Sequence, residues 1–193
     1  MKMDIHLSMD EAALAPFRAA WSRACNDTQA PLAQLAADAR DHHARLRTEA
    51  VPGFLRGHID LIPELAELLT DPDWHIEDGV RDAFAGALAY FVDPADLIPD
   101  SNPKFGLLDD AIVIELALAE NRQEWLAWQE FAAMRVGFPA LGAMDRRRWL
   151  ELRRELPRAL AANQGSFVES RFAPEDRRSR YRMFGDLPRI DMH

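Results

Sequence analysis

Apolar and polar positions follow one another with helical rather than strand spacing along most of this chain. Ser8-Met-Asp-Glu11 has the spacing of a capping box, which predicts a helix running to about Cys25 that Pro16 is placed to bend. From Pro31 to about Ala50, Leu32, Leu35, Ala36, Ala39 and Leu46 recur on one helical face, and Val51-Pro52-Gly53 is a stop signal. Phe54 to Leu69 continues the pattern, but Pro63 lacks an amide donor and disfavours helix at Ile62, so a kink or two short helices are expected. A fourth helix from about Ile76 to Phe91 would turn Val80, Phe84, Ala87, Leu88 and Phe91 inward.

Leu107 to Phe131 carries the strongest helical signal. Between Ala111 and Ala119 it is apolar around nearly its whole circumference, the mark of a helix buried inside a body. Trp125, Trp128 and Phe131 recur at helical spacing on its outer half and read as core or interface aromatics. Beyond a loop at Gly137 to Gly142, Asp145 can cap a further helix to about Ala162, and Pro174 to Phe184 suits a short terminal helix with a tail after it. The fold class expected is all-α, with one domain over residues 1–193 built around a long central apolar helix and an Asp/Pro-rich re-entrant turn.

Composition sharpens this picture. The 193 residues are 48% hydrophobic, enough for a real core, with two tyrosines and nine glycines against many Ala, Leu, Arg and Glu, which lose little on helix formation. The net charge of −9 is unevenly placed: residues 1–144 hold 11 basic and 24 acidic side chains, and the Arg-rich region 145–193 holds 12 basic and 8 acidic. An acidic body repels phosphates, which excludes nucleic acid as its partner. Cys25 is alone and cannot close an intrachain disulfide. The first eight residues lack the basic start and apolar core of a secretory signal, and the longest stretches free of charge fall short of the ~20 apolar residues that span a bilayer. A cytoplasmic protein without a transmembrane helix is expected.

Between Tyr90 and Ala119 the chain reads YFVDPADLIPDSNPKFGLLDDAIVIELALA, a turn of three prolines and five aspartates between two apolar stretches. Tyr90, Pro94, Asp96, Leu97, Ile98, Pro99, Asp100, Pro103, Gly106, Asp109 and Asp110 carry a resemblance to the YkvA-like bacterial family (domain of unknown function 1232). The family pattern runs aromatic, x, x, x, Pro, x, Asp, Leu, Ile, Pro, Asp, a short turn, then Asp-Asp and an apolar helix. The resemblance implies no settled activity. Ser101, Asn102 and Lys104 stand where many members carry apolar residues, which argues against a membrane contact.

The chemistry of the motif supports two readings. Asp96, Asp100, Asp109 and Asp110 could converge on a hard cation, Mg²⁺ or Mn²⁺, and support metal-assisted hydrolysis; their spacing matches no known catalytic signature, and no nucleophile or base accompanies them. As scaffolding, Asp93 caps a turn of helix begun by Pro94, Pro99 and Pro103 restrict the backbone, Gly106 supplies a positive φ, and Asp109 and Asp110 sit at the positive end of the long helix. The scaffolding reading accounts for more of the residues and is preferred, with no cofactor predicted. Glu115, about 140° around the helix from Asp110, cannot share a site with it and is expected to reach an arginine or solvent. His42, His43, His58 and His75 read as surface or core-edge histidines, since on the expected helices only Asp38 and His42 have the i, i+4 spacing that puts two donors on one face.

Asp60-Leu-Ile-Pro-Glu64 echoes Asp96-Leu-Ile-Pro-Asp100, but the flanks do not match and no repeat is inferred. Downstream, Trp149, Leu152, Leu156 and Leu160 share one helical face opposite Arg147, Glu151, Arg154 and Arg158, the pattern of a helix docked apolar side inward. The role expected is a non-catalytic interaction or adaptor module for an unidentified protein partner. The alternatives are a divalent-metal hydrolase using the Asp cluster and a peripheral membrane protein using the Arg-rich helix.

Overall fold

A computed structural model of the chain describes residues 7–47, 51–95, 97–99, 102, 105–137, 144–162 and 190–192, of which 7–8, 155–162 and 190–192 are described by backbone alone. The fold is all-α. Its helices are α1 (Glu11–Asp27), α2 (Leu32–Leu46), α3 (Gly53–Ile59), α4 (Ile62–Thr70), α5 (Asp78–Val92), α6 (Leu108–Glu120), α7 (Arg122–Gly137) and α8 (Arg146–Ala162). Two three-residue strands, β1 (Leu7–Met9) and β2 (Ile190–Met192), pair in parallel with Leu7 opposite Ile190. The region expected to form a helix at 174–184 lies outside the described residues.

The residues fall into two compact units, one comprising Met1–Asp71, Ile76–Arg122 and Leu187–His193, the other Pro72–His75 and Gln123–Asp186. In the first, α2 packs on α4 and α5, α1 on α5 and α6, and both α3 and α5 on α6. From Ala111 to Leu118, every α6 residue except Glu115 is buried, as its unbroken apolar pattern requires. Each large apolar side chain fully buried here, among them Leu14, Ile62, Leu65, Phe84 and Ile112, contributes about 1.5–3 kcal/mol relative to exposure.

The α1–α5 crossing is close because of Gly86. A Cβ at that position would overlap the Cys25 thiol and stand 2.9 Å from the Cys25 nitrogen and 3.0 Å from its Cα, so only glycine permits this approach of helix to helix. The same crossing is tied by Trp21, whose indole N–H donates to the Ala83 carbonyl at 2.9 Å.

Two boundaries differ from expectation, the start of α1 and the division at Asn121, and the one at Pro63 follows it. Helix α1 is capped by Asp10, which accepts the Ala13 amide at 2.8 Å, while Ser8 lies in β1. The segment around Pro63 resolves into two short helices, with the proline in the first turn of α4, where its missing N–H costs nothing. The long helix expected from Leu107 to Phe131 is two: Asn121 leaves helical geometry at φ −115° and ψ 26°, and its side-chain amide donates back to the Ala117 carbonyl at 3.0 Å. A polar side chain that competes for a backbone carbonyl ends α6 after one buried stretch.

In the second unit, Trp74, α7 and α8 share an apolar interior. Trp74 packs 5.0 Å from Phe131, and Trp149, 3% exposed, donates to the Ala127 carbonyl at 3.2 Å. Asp145 caps α8 through the Arg148 amide at 2.8 Å. Arg146 donates to both Glu124 oxygens at 2.9 Å, and Arg153 pairs with Glu130 at 2.7 Å. The inward docking expected of this Arg-rich helix is seen at Trp149; the side chains of Leu156 and Leu160 lie outside the described residues.

Candidate functional site

The corner between α5 and α6 carries the aspartate- and proline-rich motif. Helix α5 closes at Asp93, whose amide reaches the Ala89 and Tyr90 carbonyls at 3.1 Å. Asp93 Oδ1 then accepts the Ala95 amide at 2.9 Å, an Asx turn that redirects the chain. No helical turn succeeds Pro94 among the described residues, so Asp93 acts at the end of α5 and not as the cap of a new helix.

The corner is held from inside by Tyr90 and Asp109. Asp109, in the first turn of α6, is fully buried, and Asp110 is 2% exposed. Asp109 Oδ2 accepts the Tyr90 hydroxyl at 2.7 Å and the Ile98 amide at 2.9 Å; the Tyr90 oxygen in turn accepts the Leu97 amide at 3.1 Å. One carboxylate oxygen and one phenol thereby satisfy two consecutive amides of a segment that has no sheet or helix to bond with. Burial, chiefly, pushes the Tyr90 phenol well above its ordinary range, opposed by the Leu97 amide and reinforced by Asp109. Neither aspartate is the N-cap of α6, since Leu107 occupies that position without a side-chain bond; the positive end of the helix still favours both carboxylates.

Downstream, the Asn102 amide donates to the Pro99 carbonyl at 2.9 Å, Asn102 Oδ1 accepts the Phe105 amide at 3.2 Å, and the Gly106 amide returns to the Asn102 carbonyl at 2.9 Å. Gly106 is buried, whereas Pro94, Leu97 and Pro99 are exposed and Ile98 is partly so. Leu97 and Phe105, each 44% exposed, are two of the three exposed large hydrophobics among the described residues. Of the four aspartates proposed as metal ligands, Asp96 and Asp100 lie outside the described residues, as does Pro103. Among the described residues no group of three or more His, Cys, Asp or Glu side chains is arranged to hold a metal ion.

Two polar pairs escaped the sequence reading. Glu115 meets neither arginine nor solvent as its chief partner: its Oε2 lies 3.1 Å from Nε2 of His58, a side chain 1% exposed on α3. His43, also buried, has Nε2 3.2 Å from Asp60 Oδ1. The His58–Glu115 partners are 57 residues apart, and no local spacing signals such a pair.

Residues 82–116 match the family model described as Protein of unknown function (DUF1232), so this segment carries a DUF1232 assignment. The match takes in most of α5, the corner and the N-terminal part of α6, and thus every member of the Tyr90–Asp109 network. No curated protein and no solved structure matches the chain. No helix among the described residues is long and apolar enough to cross a membrane.

Proposed function

We propose that the protein is a non-catalytic interaction module whose corner between α5 and α6 presents an apolar contact surface to a protein partner. One observation carries this reading: the corner turns Asp109 Oδ2 and the Tyr90 hydroxyl inward, onto its own Ile98 and Leu97 amides, while it holds Leu97 and Phe105 out to solvent. A carboxylate occupied by a phenol and an amide serves as a strut. Exposed aliphatic and aromatic side chains on a backbone fixed by prolines lose little entropy on docking, which favours recognition.

The test is a photo-crosslinking amino acid placed at Leu97 or Phe105 in the full chain inside cells, with Glu67, exposed on α4, as the control position. The expected result is one discrete adduct shared by the two corner positions and absent from the control. Adducts that do not distinguish the corner from Glu67 would count against the proposal. So would a melting temperature that falls on chelation and returns with Mg²⁺ or Mn²⁺, since that behaviour belongs to the metal-hydrolase alternative.

A further inference from the structure

We propose that the corner between α5 and α6 takes a basic segment of a separate partner protein, one that sets arginine or lysine beside an apolar anchor. The inference rests on the reading of the corner as a contact surface and adds the chemistry of what it contacts. The span 82–116, which covers most of α5, the corner and the start of α6, carries seven carboxylates and a single basic side chain, Lys104. From Asp82 to Pro103 no lysine, arginine or histidine occurs. Asp93 is exposed, Asp96 immediately precedes Leu97, and Asp100 follows it by three residues. Lys104 stands next to Phe105, so the partner's basic groups belong on the Leu97 side of the corner.

Chain connectivity alone holds acidic charge near Leu97. Consecutive Cα atoms stand about 3.8 Å apart, so whichever way it turns the Asp96 carboxylate stays within the ~8 Å screening length of physiological salt from the Leu97 backbone. Behind the surface Asp109 and Asp110 are buried in the first turn of α6, and residues 1–144 hold 24 acidic against 11 basic side chains, so the local field and that of the body have one sign. Such a surface repels acidic partners and anionic lipid headgroups and steers cationic ones toward Leu97 and Phe105, each 44% exposed. Arginine and lysine fit it doubly, since their aliphatic stems cover apolar side chains while their charged ends reach carboxylates. The chain's own Arg-rich helix α8 does not supply the anchor, for its Trp149 is 3% exposed in its own unit.

The test places the photo-crosslinking amino acid at Leu97 in the full chain inside cells and sequences the cross-linked peptide by mass spectrometry. Asp96→Asn with Asp100→Asn removes two charges at nearly constant shape and leaves the Asp93 turn intact, while Asp27→Asn with Glu67→Gln removes two exposed charges elsewhere. Melting temperatures show whether both double variants fold. The expected result is a cross-linked segment of another protein with net positive charge, and an adduct that falls about fivefold in the corner variant but not in the control. A synthetic copy of that segment, with its arginines and lysines replaced by glutamine, makes the same comparison against the wild-type chain and should bind more weakly than the original. An adduct that survives in the corner variant or falls equally in the control, or a segment that is neutral or acidic, overturns the basic partner and leaves the contact surface standing. An adduct to lipid, or to residues 145–193 of a second copy, overturns it equally. Absence of any adduct specific to the corner removes the contact surface itself, and this inference with it.

Discussion

Asp-Leu-Ile-Pro occurs twice in this molecule, at 60–63 and at 96–99, and the two copies take different structures. In the first copy the amides find acceptors in the preceding turn: Asp60 N–H donates to the Arg56 carbonyl at 2.8 Å and Leu61 N–H to the His58 carbonyl at 3.0 Å. Leu61 then accepts the Leu65 amide at 2.9 Å, α4 begins, and Ile62 is fully buried. In the second copy the Leu97 and Ile98 amides bond to side chains, the phenol of a tyrosine seven residues before and the carboxylate of an aspartate eleven residues after. The same residues form a helix start where the backbone supplies acceptors, and an open corner where flanking helices supply them. The residues beyond each proline act in the same direction: Glu-Leu-Ala-Glu-Leu-Leu favours helix, Asp-Ser-Asn-Pro-Lys does not.

The comparison can be broken at four points. The largest effect is expected from Ile62→Ala, which empties a fully buried position and should cost about 3–4 kcal/mol in urea unfolding. Asp109→Ala should come next at about 3 kcal/mol, because it strands the Tyr90 hydroxyl and the Ile98 amide without their acceptor. Hydrogen exchange sharpens the contrast in that variant: the Leu97 and Ile98 amides should lose protection while the Leu65 amide in α4 keeps it.

Tyr90→Phe removes one bond from the corner and should cost about 1 kcal/mol at neutral pH. It also carries a pH signature. The phenol is raised above its ordinary 10.0 in the folded chain, so the unfolded chain loses this proton first. The stability held by the neutral phenol is therefore complete below pH 10.0 and declines as pH rises above it, by up to about 1.4 kcal/mol per pH unit. Denaturation of wild type and Tyr90→Phe between neutral and strongly alkaline pH should show the difference between them shrinking. The smallest effect is expected from Leu97→Ala, within about 0.5 kcal/mol, since that side chain is 44% exposed whereas Ile62, in the other copy, is fully buried. A cost for Leu97→Ala approaching that of Ile62→Ala would show the corner to be core and not a contact surface.

Much of this fold was legible in the residues. Every described helix falls in a segment that spacing or a cap signal marks as helical, although α6 and α7 read as one; Pro63 marks the division of α3 from α4, and the apolar run from Ala111 to Ala119 marks α6 as buried. Asn121 carried a signal that the apolar stretches on either side masked: a polar amide between two helical segments, able to bond its own preceding turn. The motif marks the candidate site and its residues in the sequence, but not the role of each. From the sequence Asp109 belongs to the helix end; in the fold it also reaches across the corner to Tyr90 and Ile98.

By itself the sequence determined the all-α class, the segment that holds the corner and the burial of α6, because periodicity, proline and charge act on the chain within a turn or two of where they stand. Only the tertiary structure decided which groups meet. His58 and Glu115 pair across 57 residues, Asp109 accepts the Ile98 amide eleven residues back, and Gly86 matters because Cys25 of another helix lies against it. Such contacts depend on where helices cross, and helix crossings are set by packing of the whole core, which no local spacing encodes.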